Sequence, residues 1–153
     1  SGVLTVTDLS AVFASQRASQ IDWNGPLYSM FDLPIEVTRV SVAFQSVDSA
    51  FRQGLRLKIR GGRLEVDGVE VTDLALWHDT APNQVEVKVH WKGKGPRSLR
   101  MWNSWEHNGV AHAWLGNAGM RVDEVESGRF LLRCSDGEGE PEFDNLILGV
   151  TVE

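Results

Sequence analysis

The feature that most constrains the fold is a strict period-two alternation punctuated by glycine dipeptides. Leu55, Leu57 and Ile59 alternate with Arg56, Lys58 and Arg60; Gly61-Gly62 follows; Leu64 and Val66 resume the pattern, Asp67-Gly68 interrupts it, and Val69 and Val71 complete it. In an extended chain a period of two sends alternate side chains to one face. Gly-Gly and Asp-Gly suit two-residue primed turns, whose central residues need positive φ. Two such turns would set Ile59 opposite Leu64, Leu57 opposite Val66, Val66 opposite Val69 and Leu64 opposite Val71. The apolar residues would then share one face of a three-stranded meander.

Other stretches carry the same signal. Val85, Val87, Val89 and Trp91 alternate with polar residues, as do Leu146, Leu148, Val150 and Val152, and Phe130, Leu132 and Cys134 form a shorter run. Between Val37 and Val40 the phase changes, which predicts a bulge near Arg39. Residues 8–19 alone suit a short helix, with Asp8 or Ser10 as cap. Residues 15–34 read as one long ordered loop. About ten short strands with almost no helix predict an all-β fold, an antiparallel β-sandwich of jelly-roll or lectin-like type, and 153 residues suit a single domain spanning 1–153.

Composition narrows the function classes. A net charge of −6 argues against non-specific binding to nucleic acid or an anionic membrane. There is no apolar run of membrane-spanning length and no signal-peptide layout. The leading Ser1-Gly2 reads as a cloning remnant or a processed end, and the compartment, cytoplasmic or secreted, stays open. Cys134 is the only cysteine, which rules out an intrachain disulfide. On an apolar strand phase it reads as a small buried hydrophobe rather than a nucleophile. The chain lacks HExxH, a P-loop, GxGxxG, a nucleophile elbow and zinc-type cysteine spacing.

Three of the six tryptophans fall within Arg100–Asn117, RMWNSWEHNGVAHAWLGN. Leu99, Met101 and Trp105 set a core phase; Arg100, Trp102, Ser104 and Glu106 face the other way. A three-residue loop at His107-Asn108-Gly109 would pair Ser104 with His112 and Trp102 with Trp114. A two-residue Asn108-Gly109 loop, the competing register, would mate Trp102 with Leu115. Under the first register two indoles lie side by side on the outer face, bordered by Arg100, Ser104 and His112. Pyranose rings lay an apolar C–H face on indole while their hydroxyls take directed donors and acceptors, so this set can hold a saccharide or another polyhydroxylated ligand. The bland reading is a cross-strand aromatic pair that only stabilises the sheet. Of the others, Trp91 follows a core phase, Trp77 would cover a sheet edge, and Trp23 would staple the long loop.

Asp136, Glu138, Glu140, Glu142 and Asp144 crowd one glycine-containing loop without a cation. Clustered carboxylates on a turning backbone suit calcium, against the default of a solvated acidic turn. Paired carboxylates among Glu106, Asp136, Glu138 and Glu142 would instead suit a glycan hydrolase or lyase. A third reading is a structural domain that forms a homodimer through its tryptophan face.

The closing segment FDNLILGVTV (Phe143–Val152) and the GGRLEVDGVEV hairpins (Gly61–Val71) resemble the strands of bacterial carbohydrate-binding modules and lectin-like sandwiches. That resemblance implies a non-catalytic carbohydrate-binding domain, and it implies that Asp144, beside the last strand, helps to hold a structural calcium. No diagnostic catalytic motif accompanies it.

Overall fold

Nearly every alternating segment becomes a strand. The structure, a computed structural model, describes residues 8–153, with one helix, α1 (Leu9–Gln16), and fourteen strands rather than about ten. All strand pairs are antiparallel, in two sheets. The larger runs, in spatial order, β1 (Gln20–Asp22), β2 (Pro26–Tyr28), β12 (Gly119–Glu126), β13 (Arg129–Ser135), β14 (Leu146–Val152), β4 (Arg39–Val47), β9 (Gln84–Trp91), β6 (Gly62–Val66) and β7 (Val69–Val71). The smaller runs β11 (Val110–His112), β10 (Ser98–His107), β5 (Arg52–Arg60) and β8 (Asp73–Trp77), and β3 (Phe31–Asp32) also pairs with β10. The architecture is an all-β sandwich, and no helix among the described residues is long and apolar enough to cross a membrane.

The core forms where the alternating faces of the two sheets meet. Val40, Val42, Val87, Leu132 and Leu148 from the larger sheet pack with Leu55, Leu57, Leu99 and Met101 from the smaller, all fully buried. Each such side chain contributes about 1.5–3 kcal/mol of burial free energy, before the opposing entropy of ordering the chain. Cys134 lies in this core, and burial pushes its thiol pKa far up, so it has the inert environment expected of it. A smaller cluster of Leu9, Phe13, Ile21 and Leu27 lies under α1, and Trp23 packs against it as a staple. Asp8 caps the helix: the Ala11 N–H and the Ser10 hydroxyl both donate to its carboxylate, at 3.3 and 2.6 Å.

Part of the expected meander is present and part is not. The Asp67-Gly68 turn has φ of 51° and 80° and joins β6 to β7, with Leu64 opposite Val71 and Val66 opposite Val69 as the alternation predicts. The Gly61-Gly62 turn does not make a hairpin. β5 pairs with β10 and β8 in the smaller sheet, and β6 pairs with β9 and β7 in the larger. The two glycines form a corner at which the chain changes sheets. A Cβ on Gly62 would stand 2.6 Å from the His90 carbonyl oxygen and 2.9 Å from Ile59 Cδ1, so only glycine lets the corner close. The apolar phase survives because both strands face the same core from opposite sides. Val69, at the far edge, is exposed.

Two smaller expectations are corrected. The phase change before Arg39 is the start of β4, not a bulge; the register slip in β4 falls opposite Ile147 and Leu148, where Gln45 is the extra residue. Residues 15–34 are not a single loop but contain the end of α1 and the short strands β1, β2 and β3. Strands of two or three residues leave no measurable periodicity, so only the turn residues between them show in the sequence.

Candidate functional site

The site begins as a notch in the smaller sheet. β5 covers one side of β10 from Ser98 to Glu106. The other side is shared: β3 pairs with Arg100 and Met101, and β11 pairs with Trp105 to His107. Between them, Trp102 to Ser104 have no strand partner on that side, and Met30, Ala113 and Trp114 gather around Trp102 there. The Ser104 hydroxyl donates to the His112 carbonyl oxygen across the gap, at 2.7 Å.

The turn that was expected to bring the indoles together has the competing register. Asn108 and Gly109, at φ 52° and 73°, form a two-residue turn with His107 opposite Val110 and Trp105 opposite His112. Continued strictly, that register would bring Leu115 to Trp102. Instead β11 stops at His112, and Trp114 adopts a left-handed φ of 60°, which turns its ring onto Trp102 with centroids 4.9 Å apart and planes 37° apart. The pair therefore exists, by a route the hairpin argument did not contain. A left-handed backbone is unusual for a bulky aromatic and stores about 1–2 kcal/mol of strain. The ring is held by its Nε1–H, which donates to the Ser29 carbonyl oxygen at 3.1 Å.

The two rings are not equivalent. Trp102 is opposite Arg56 while its neighbour Met101 is opposite Leu57 in the core, so the indole points to the outer face of the sheet. It is nonetheless only 5% exposed, whereas Trp114 is 45% exposed. The expected platform of two open rings is one open ring lying on a covered one. Trp114 and Met30 stand between two depressions. One, of about 490 Å³, is lined by Phe13, Ala14 and Ala18 near α1 together with Ser29 and Ala118. The other, of about 410 Å³, is lined by Arg56, Lys58, Asp73, Arg100, Trp102 and Ala113. Arg100 donates from Nε to Asp32 at 2.9 Å, and Arg56 donates from Nη2 to Asp73 at 2.6 Å.

Of the expected ligand contacts, Arg100, Trp102 and Trp114 come together here. Ser104 and His112 do not: Ser104 is buried with its hydroxyl engaged, and His112 lies opposite Trp105, 5.9 Å from that ring, on the other phase of the hairpin. Arg56, Lys58 and Met30 belong to the site and were missed. Arg56 and Lys58 sit on the outward phase of β5, so the alternation itself could have flagged them once β5 and β10 were known to pair.

The acidic loop is a structural buttress. Asp136, 1% exposed, accepts hydrogen bonds from the Ser49 hydroxyl (2.7 Å), Gln53 Nε2 (2.9 Å) and the Glu138 N–H (3.0 Å). Glu138 Oε1 lies 2.8 Å from His107 Nδ1 and 3.2 Å from Trp105 Nε1, and Asp144 is exposed. The structure does not gather Asp136, Glu138 and Asp144 as one set of converging oxygens. Glu106 is paired with Arg52, and none of Glu106, Asp136, Glu138 and Glu142 lines either depression beside Trp114. Among the described residues the metal-capable group is a different one: Glu65, Glu70 and His90 on β6, β7 and β9 offer ligand atoms within 4.8 Å of one another, with Lys88 and Lys92 already 3.9 and 3.8 Å from the carboxylates.

The contact with His107, reinforced by the Trp105 N–H, holds the Glu138 carboxyl below its ordinary pKa. A depressed carboxyl pKa adds stability that is complete above the unfolded value and lost as pH falls through the folded one. Wild-type protein should therefore lose more of its denaturant midpoint than Glu138→Gln between about pH 6 and about pH 2, and the two curves should converge at the acid end. Parallel curves over that range would remove the carboxylate's role.

No family model matches the chain, and no curated protein matches it in sequence.

Proposed function

We propose that the protein is a non-catalytic, lectin-like carbohydrate-binding domain whose ligand lies on Trp114. The observation that carries this reading is the combination of exposure and strain at one residue. An indole that served only to cover Trp102 would be expected on relaxed backbone and largely out of water. Trp114 instead holds a left-handed φ with nearly half its surface open, and backbone strain of this kind clusters at binding sites. Hydrogen-bonding groups suited to hydroxyls surround it: the guanidinium groups of Arg56 and Arg100, the Lys58 ammonium and the Asp73 carboxylate.

Replacement of Trp114 by Asn separates the two roles, because asparagine tolerates left-handed backbone. Relief of strain, about 1–2 kcal/mol, offsets part of the lost ring burial, about 2–3 kcal/mol. The variant should stay folded and melt no more than about 6 °C below wild type. On an oligosaccharide panel it should lose at least about tenfold in affinity, equivalent to about 1.4 kcal/mol. Unchanged glycan affinity would remove the proposal. A wild-type dimer in sedimentation that Trp114→Asn converts to monomer, with no glycan bound by either, would establish self-association instead.

A further inference from the structure

We infer that the saccharide this site takes is anionic, its carboxylate or sulfate held in the depression that Arg56, Lys58 and Arg100 line beside Trp114. The inference rests on the carbohydrate reading and specifies its ligand class.

Three cationic side chains, Arg56, Lys58 and Arg100, line this one depression, together with a single carboxylate, Asp73. The pairing of β5 with β10 makes the cluster, since Lys58 is directly opposite Arg100 and Arg56 opposite Trp102, all on the outward phase. Like charges opposite one another destabilise a sheet unless something compensates them. Asp73 pairs with Arg56 and Asp32 with Arg100; Lys58 is opposite Asp73 on β8, but no ion pair among the described residues includes it. Three positive charges against two negative leave the site net positive on a chain whose net charge is −6.

Neither existing pair uses its arginine fully. Asp32 and Asp73 each touch their guanidinium through one nitrogen, and Arg56 Nε is buried without a partner, so the bidentate geometry that guanidinium offers a carboxylate is not realised. The Arg100–Asp32 pair is well exposed on both sides, and such pairs are held weakly enough for a ligand anion to replace the aspartate. Beside these cations stands the open face of Trp114. A sugar ring seated on the indole would carry a substituent at its rim into the cationic depression. A neutral sugar would leave the excess positive charge of this cluster unmet; a uronate or a sulfate ester would meet it.

The test compares ligands that share ring and linkage and differ in whether they carry an anionic group. Oligogalacturonate and its fully methyl-esterified form share ring and linkage, and binding of each is measured by calorimetry at low and high salt. A sulfated dextran oligomer and neutral dextran form a second pair. The expected result is at least tenfold tighter binding of one acidic member than of its neutral counterpart, with the difference shrinking as salt rises. The member preferred assigns the anion to carboxylate or to sulfate. Lys58→Met, at an exposed position, should fold with an unchanged melting temperature and bring the ratio below about threefold. Equal affinities within both pairs overturn the inference and leave carbohydrate binding in place. An acid preference that survives Lys58→Met and Arg100→Gln alike would overturn it too, by placing the anion elsewhere. If no member of either pair binds and a wider neutral panel is silent as well, the carbohydrate reading falls with it.

Discussion

Gly137→Ala is expected to destabilise the protein by about 3 kcal/mol or more, at or beyond the top of the usual range for overpacking. A Cβ at Gly137 would stand 2.3 Å from Trp105 Cζ2, 2.6 Å from Cη2 and 2.5 Å from the Leu115 carbonyl oxygen. The indole cannot yield, because Trp105 is 1% exposed and its Nε1 is tied to Glu138. The backbone at Leu115 cannot yield easily either, since at the next residue, Gly116, there is not room even for a Cβ beside the Gly137 carbonyl. Gly95→Ala is the matching control: its Cβ would meet nothing within 4 Å and its φ is not in the left-handed region, so its denaturant midpoint should stay close to wild type. Similar midpoints for the two variants would show that the segment around Leu115 moves freely.

The second large effect is expected one residue earlier. Asp136→Ala takes the acceptor from the Ser49 hydroxyl, Gln53 Nε2 and the Glu138 N–H, of which Gln53 is buried and the other two are partly buried. An unsatisfied buried donor costs about 1–3 kcal/mol and a partly buried one less, so a loss of about 2–4 kcal/mol is expected. Asp136→Asn keeps one acceptor oxygen and should fall between wild type and Asp136→Ala. Chemical denaturation of the three proteins gives the order directly. If Asp136→Ala unfolds at the wild-type midpoint, the hydrogen bonds around Asp136 are not what holds this loop.

Much of the architecture was legible because alternation reports burial directly. Leu55 to Ile59, Val85 to Val89 and Leu146 to Val150 all place their apolar phase in the core. Periodicity is silent about which sheet a strand joins. The apolar phase of β6 reads the same whether Gly61-Gly62 closes a hairpin or turns a corner, because the interior lies on the inward face of both sheets. The site was half legible for a related reason. The outward phase of β10 was readable as far as Trp102, but the placement of Trp114 depends on a left-handed backbone at a tryptophan, which residue preference argues against. The role of the acidic loop was hidden as well. Five carboxylates without a neighbouring cation in sequence resemble a cation site, and only the fold brings Ser49, Gln53 and His107 to them.

The position of β14 bears on how the molecule is made. It is the last of the fourteen strands in chain order, yet it lies between β13 and β4 near the middle of the larger sheet. Without residues 146–152 that sheet is two separate pieces, each with a bare edge. A nascent chain must therefore carry two unpaired strand edges until almost every described residue has left the ribosome, and such edges recruit other chains. Assembly of the larger sheet waits for residues 146–152, so soluble yield should depend on what protects those edges in the interval.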